Sequence, residues 1–257
     1  MCELFGLSAR NPIKVNTVLN EFFTHSEKNP DGWGLAVFRG NSVSLEKEPK
    51  KALDSVYLHN RLAWDITASD LLAHVRRATI GFMNYSNCHP FVWDDKTGRS
   101  WTLIHNGTIF ETDLISPFSE ALEGSTDSEA ALLYLISLIN RATDKKGEPL
   151  SASERFDVID KALVKLAACG KLNILLFDGE QLYVHTNYKD SLYVRKTEDF
   201  CSFSTTPLSE GTWEKLPMNR PFGYIAGECV HEGTSHDHEF LDSEHDMTLI
   251  YSAFAAL

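Results

Sequence analysis

The order of elements in this chain predicts an α+β fold, with two sheets stacked face to face and helices packed outside them. Three observations lead there. Short β-prone segments fill the first part of the chain, two long amphipathic helices with capping signals follow, and the remainder is again rich in short strands. Sheets and amphipathic helices each have an apolar face to hide, and layering helices over sheets buries all of them.

Residues 2–8 are short and apolar and read as a buried strand, and Val15, Val18, Leu19 and Phe22 then follow helical spacing. Residues 32–38 read as a strand, Arg39-Gly40-Asn41 as a turn and residues 42–45 as the partner strand. Residues 71–76 and 101–105 are further strands. Thr126 and Glu129 form a capping-box pattern ahead of a helix over 130–141, whose Leu132, Leu133, Leu135, Ile136 and Ile139 make an apolar face. Ser151 and Glu154 repeat the pattern before a second helix carrying Phe156, Ile159, Leu163 and Leu166, with Gly170 as its stop. Residues 172–177 and 181–186 read as a hairpin about Asp178-Gly179, followed by strands at 191–196, 201–204, 222–226 and 247–251.

The chain has 257 residues, 43% of them hydrophobic and 23% charged, which is ordinary for a globular protein with a sizeable core. It contains no repeat, low-complexity tract or linker, so a single domain over 1–257 is expected. A net charge of −12 repels nucleic acid and anionic membranes, and neither is expected as a partner. No apolar run approaches the roughly 20 residues that span a bilayer. The N-terminus has no basic region followed by an apolar stretch, and so is not a signal peptide. Cys2, Cys88, Cys169, Cys201 and Cys229 are irregularly spaced with no C-x-x-C, which points to free thiols and a cytoplasmic protein.

Cys2 carries the first chemical signal. Cysteine is small enough for removal of Met1, and a thiol and a free α-amine would then share one carbon. The amine titrates at about 7.7–8.0 and the thiol at about 8.5, so nucleophile and proton acceptor lie in one residue, as in N-terminal-nucleophile enzymes. Arg76 and Arg77 end an apolar run, where an arginine holds either a structural salt bridge or a ligand carboxylate. Asn106-Gly107 follows a strand and reads as a hairpin turn or as an oxyanion hole made of a side-chain and a backbone N–H. Asp127 lies in the first turn of a helix, where it stabilises the helix dipole or receives an ammonium group.

Each signal alone is more often structural than functional, but their order is specific. Cys2, then Arg76-Arg77-Ala78-Thr79, His89-Pro90, His105-Asn106-Gly107 and Thr126-Asp127 occur with Met1-Cys2-Glu3-Leu4, Asp31-Gly32-Trp33-Gly34, Asn87-Cys88-His89-Pro90-Phe91 and Ser204-Thr205-Thr206-Pro207-Leu208. In these motifs the chain resembles the class II glutamine amidotransferases, and most of all the short stand-alone type called YafJ-like. The resemblance implies a four-layer αββα sandwich of two antiparallel sheets. It implies Cys2 as nucleophile and Asn106 and Gly107 as the oxyanion hole. It further implies Arg76, with Thr79 beside it, at the substrate α-carboxylate, Asp127 at the α-amino group, and His89 near the site. Attack on the side-chain amide of glutamine would give a γ-glutamyl thioester, then glutamate and ammonia. No cofactor and no metal are implied. Arg77 departs from relatives that carry Trp there.

With the family domain using nearly all of the chain, ammonia is expected to pass to a separate acceptor protein or to be released, or the substrate is another γ-glutamyl amide, such as a γ-glutamyl peptide or thiol metabolite. Readings of another class are a non-catalytic γ-glutamyl-binding protein, and a metal site in the His-rich tail formed by His231, His236, His238 and His245 with Asp237, Glu239, Asp242 and Asp246.

Overall fold

Strands β1 (Glu3–Lys14), β2 (Trp33–Arg39), β3 (Ser42–Glu48) and β4 (Thr67–Val75) open the chain, interrupted by helices α1 (Asn16–Thr24) and α2 (Val56–Ala63). Then come β5 (Phe91–Asp94), β6 (Ser100–Ile109), α3 (Asp127–Lys146) and α4 (Ala152–Ala167). The chain continues through β7 (Gly170–Phe177), β8 (Leu182–His185), β9 (Tyr193–Lys196), β10 (Phe200–Ser204), β11 (Glu214–Lys215), β12 (Phe222–Ile225) and β13 (Glu228–Glu232). The computed structural model describes residues 2–40, 42–78, 82–110 and 112–242.

The strands form a seven-stranded sheet in the order β11-β9-β10-β1-β4-β2-β3 and a six-stranded sheet in the order β13-β12-β8-β7-β6-β5. Neighbouring strands pair antiparallel throughout. Strand alternation sorts the side chains into three apolar layers. Leu4, Ala36, Leu72, Ile104, Leu175 and Phe203 fill the space between the sheets. Phe5, Leu7, Leu71 and Ala73 face outward onto Leu19, Phe22, Phe23 and Leu58 of α1 and α2. Leu103, Leu172, Ile174 and Leu176 face outward onto Leu132, Leu135, Ile159 and Leu163 of α3 and α4. The result is the expected αββα sandwich, and among the described residues no helix is long and apolar enough to cross a membrane.

Several local expectations change. β1 runs on to Lys14 after a register shift between Ser8 and Ile13, and its exposed Arg10, Asn11 and Pro12 hide the continuation from any alternation test. α2 escapes periodicity because it buries Leu58 alone while Val56 and Tyr57 are 73% and 53% exposed. β5, β11 and β13 are short edge strands. Ser151 and Glu154 form a complete reciprocal capping box. At α3 only half of that box exists: the Thr126 hydroxyl accepts from Glu129 N at 3.2 Å, while the Glu129 carboxylate turns away to accept from Glu123 N and Gly124 N at 2.8 and 2.9 Å. Gly170 is the first residue of β7, not the stop of α4, and its place is set by a backbone φ of +154° and a close approach to the Thr108 carbonyl. The strand expected at 247–251 lies outside the described residues.

At the end of the sandwich where β7 turns into β8, a buried charge cluster holds α4 to the sheet. The Asp178 side chain, fully buried, accepts from Arg155 Nε at 2.6 Å, from the Tyr183 hydroxyl at 2.8 Å and from Gln181 N at 2.8 Å. Removing one member of such a buried pair strands the other charge in a medium that cannot solvate it. Asp178→Ala is therefore expected to lower unfolding free energy by about 3–5 kcal/mol, read as a lower midpoint with unchanged slope in urea titration.

Candidate active site

Register brings Cys2 to the end of β4. Glu3 pairs with Val75, so the residue before β1 lies beside Arg76 and Arg77, where β4 stops. The Cys2 thiol donates to the Arg77 carbonyl and its sulfur accepts from the Arg77 N–H, both at 3.2 Å. The loop before β2 grips the same stretch: Arg76 N donates to the Gly32 carbonyl at 2.7 Å, Asp31 N to the Arg76 carbonyl at 3.0 Å, and Ala78 N to the Asp31 carboxylate at 2.8 Å. Gly32 sits at φ +151°, and a Cβ there would fall 2.7 Å from the Cys88 sulfur. The Asp-Gly pair thus holds residues 76–78 in place beside Cys2. The Arg76 side chain is buried and donates to the Phe82 carbonyl at 3.3 Å, whereas Arg77 contributes its backbone and leaves its side chain exposed.

The opposite sheet supplies the facing wall. Asn106 Nδ2 donates to the Cys2 carbonyl, tying the start of β1 to β6 across the sandwich. Along β6 the peptide groups alternate in direction. Leu172, the partner of Gly107, takes its N–H to Asn187 Oδ1 at 2.8 Å and its carbonyl to His185 at 3.0 Å, both away from β6. Gly107 correspondingly presents its N–H and C=O to the other edge of β6, beyond the point where β5 has ended. On that edge His74 Nε2 donates to the His105 carbonyl at 3.2 Å and Ile109 N donates to the Asp127 carboxylate at 2.7 Å, with Gly107 between them. A side chain at 107 would overlap the Lys171 carbonyl and come 2.6 Å from His105 Nε2, so only glycine fits.

His105 links this edge to α3. Its Nε2–H donates to the Lys171 carbonyl at 3.0 Å, which leaves Nδ1 to accept from the Ser128 hydroxyl at 2.9 Å. That contact pins the first turn of α3, and Asp127 with it, beside Ile109. His89 lies deeper: it is 5% exposed, its ring is 4.2 Å from that of His74, and both of its nitrogens lack a partner among the described residues. Burial first, and the neighbouring His74 second, hold its pKa well below the usual imidazole range, so it is neutral. The structure therefore brings Cys2, Arg76, Asn106, Gly107 and Asp127 together, with His89 buried against His74. Thr79 lies outside the described residues.

Sequence reasoning passed over Lys171 and Ser128, and gave no separate role to His74 or to His105 and Asp31-Gly32, which stood in the motifs it used. Lys171 had a visible signal, the one charged residue in the Gly170–Phe177 strand. In the tail, His236 donates to His185 at 3.0 Å, and among the described residues no three His, Cys, Asp or Glu side chains converge as a metal site requires; His245 and Asp246 lie outside them.

Comparison with known proteins identifies the family. The family described as "Glutamine amidotransferases class-II" matches residues 1–209. An uncharacterized protein, MJ1515 of Methanocaldococcus jannaschii, is 33% identical over 192 residues, covering 74% of this chain and 52% of its own length. An Escherichia coli protein provisionally named glutamine amidotransferase YafJ is 29% identical over 192 residues, 73% of this chain and 74% of its own. A gamma-glutamyl-hercynylcysteine sulfoxide hydrolase of Mycolicibacterium smegmatis is 27% identical over 197 residues, 75% of this chain and 77% of its own. The fold matches the solved glutamine phosphoribosylpyrophosphate amidotransferase of B. subtilis with a TM-score of 0.67 at 18% identity, over 92% of this chain and 50% of that one.

Burial pushes the Cys2 thiol pKa up, while the Arg77 N–H and the Arg76 charge pull against it. The resting group is a thiol, so reactivity is gained as pH rises and the proton leaves. Alkylation of Cys2 by iodoacetamide is expected to keep accelerating with pH beyond the range in which a free cysteine has levelled off; a plateau at or below that of free cysteine would contradict the burial effect.

Proposed function

Because the chain belongs to the class II glutamine amidotransferases, we propose that it is an amidohydrolase of γ-carboxamides whose nucleophile is Cys2, exposed as the N-terminal residue by removal of Met1. The observation that supports this most is the edge of β6. There Gly107 lies between the occupied His105 carbonyl and Ile109 N–H, next to Asn106, whose side chain holds the Cys2 carbonyl.

A γ-glutamyl head group carries a carboxylate and an ammonium on its α-carbon. Arg76 receives the carboxylate and Asp127 the ammonium, and two opposite charges at fixed positions convert binding into orientation. The Cys2 sulfur attacks the amide carbon. Charge gathering on the amide oxygen is met by Gly107 N–H and by Asn106 Nδ2, which carries two protons and uses one on the Cys2 carbonyl. The α-amine of Cys2 takes the thiol proton and passes it to the departing nitrogen. Water then cleaves the γ-glutamyl thioester to release glutamate. The whole chain serves as one catalytic domain, and with glutamine as substrate the ammonia goes to solvent or to a separate acceptor protein.

Hydrolysis of a γ-glutamyl amide other than glutamine is the second reading. It is supported by likeness to the mycobacterial γ-glutamyl hydrolase, and by a clamp that reads only the head group.

Intact mass before and after treatment with an electrophilic glutamine analogue tests the assignment. The expected result is a chain lacking Met1 that gains one adduct, lost in Cys2→Ala; a retained Met1 or an adduct on another residue would overturn it. Cys2→Ala is expected to abolish turnover. Asn106→Ala is expected to lower kcat by about 100- to 1,000-fold, the usual cost of one oxyanion donor, and near-normal turnover in that variant would remove Asn106 from the mechanism.

A further inference from the structure

Lys171 is the only buried lysine among the described residues, 4% exposed. It stands on β7 opposite Thr108, and alternation puts it on the same face as Asn173 and Leu175, between the sheets. An apolar side chain would fill that place without the cost of desolvating a charge. Its Nζ lies 3.9 Å over the Tyr188 ring, and the Tyr188 hydroxyl donates to Asp242. Burial draws the ammonium down to about 8, opposed by Asp242 and by Cys2, so it remains charged at neutral pH.

Its position relative to the clamp follows from strand order. β1 has β4 on one side and β10 on the other, and β6 has β5 on one side and β7 on the other. The His74–His105 bond, and the packing of Gly34 against His89 and Pro90, set β4 and β2 over the β5 side of β6. Arg76 leaves β4, and Asp127 caps Ile109 on that same edge. Lys171, on β7, therefore flanks the Cys2–Asn106 contact from the opposite side. A γ-glutamyl head held by Arg76 and Asp127 brings its amide carbon to the sulfur and directs its departing amine toward Lys171.

We propose that Lys171 binds a carboxylate carried on the departing amine, so that the substrates are γ-glutamyl amino acids or γ-glutamyl peptides. This rests on the reading of Cys2 as nucleophile and of Arg76 and Asp127 as clamp. The step balances without any further reactant. The S–C bond forms as the C–N bond breaks, the thiol proton leaves with the amine nitrogen, and water splits the thioester to give glutamate and a free amino acid or peptide. Glutamine releases ammonia, which has no group to reach Lys171.

The test compares kcat/KM on γ-glutamylglycine, on γ-glutamylethylamide, which lacks the carboxylate, and on glutamine, for wild type, Lys171→Met and Lys171→Arg. Wild type is expected to favour γ-glutamylglycine over the ethylamide by about 10- to 100-fold, the worth of one charge-assisted hydrogen bond. Lys171→Met is expected to lose that preference while keeping its rates on the ethylamide and glutamine, and Lys171→Arg to retain part of it. Absence of the preference in wild type would overturn the proposal, as would an equal fall on all three substrates in Lys171→Met, which would make Lys171 a partner of the Cys2 charge or a packing residue. If wild type turned over none of the three and Cys2 took no electrophilic analogue, the catalytic reading itself would fall, and this one with it.

Discussion

The site depends on the contact between the two sheets where the Asn106 side chain meets the Cys2 carbonyl. One sheet carries Cys2 and the arginines that follow β4, and the other carries Asn106, Gly107 and the helix that brings Asp127. The spacing of the sheets therefore sets how close Cys2 comes to Asn106. That spacing is set by close-packed apolar side chains, among them the fully buried Leu4, Leu72, Ile104 and Leu175. Burying each such side chain contributes about 1.5–3 kcal/mol, so the wall-to-wall distance is held by a close-packed apolar layer. At Gly34 the sheet approaches the His89-Pro90 backbone so closely that no side chain could stand there, and Gly6 similarly abuts Leu175.

Charge is distributed in the site against the character of the whole chain. The protein has a net charge of −12, yet Arg76 and Lys171 are buried cations flanking Cys2. His74, His89 and His105, which lie beneath and beside them, have their pKa values driven down chiefly by burial and add no charge at neutral pH. Asp31 is spent on the Ala78 backbone and holds the loop, and Asp127 is aligned by Ile109 N. Positive charge thus stands near the sulfur from Arg76 and from Lys171, with Asp127 as the nearby carboxylate.

Much of this was legible in the sequence for a simple reason. Cys2, Arg76 and Asp127 stand at strand ends or a helix start, where local signals are strong: an apolar run that stops, a cap; Asn106-Gly107 drew notice as a turn signal but lies within β6, which runs on to Ile109. The two long helices were visible because each buries a wide apolar face, and the β-rich ends because their strands alternate or run apolar. The continuation of β1 and the whole of α2 were not, since a strand with exposed polar residues and a helix with one buried leucine leave no periodic trace.

By itself the sequence determined which residue types were available, the order of strands and helices, and the family, because these are properties of spacing along the chain. Only the tertiary structure decided that Asp31-Gly32 clamps the loop after β4, that His105 anchors the start of α3, that Glu129 caps a preceding loop and leaves its own box half made, and that Lys171 faces Cys2 from the far flank. Apart from the Glu129 contacts, which reach back five and six residues, these contacts join residues far apart in the chain. The partner of a buried polar group is chosen by whichever surface is packed against it, and that surface exists only once the two sheets have closed.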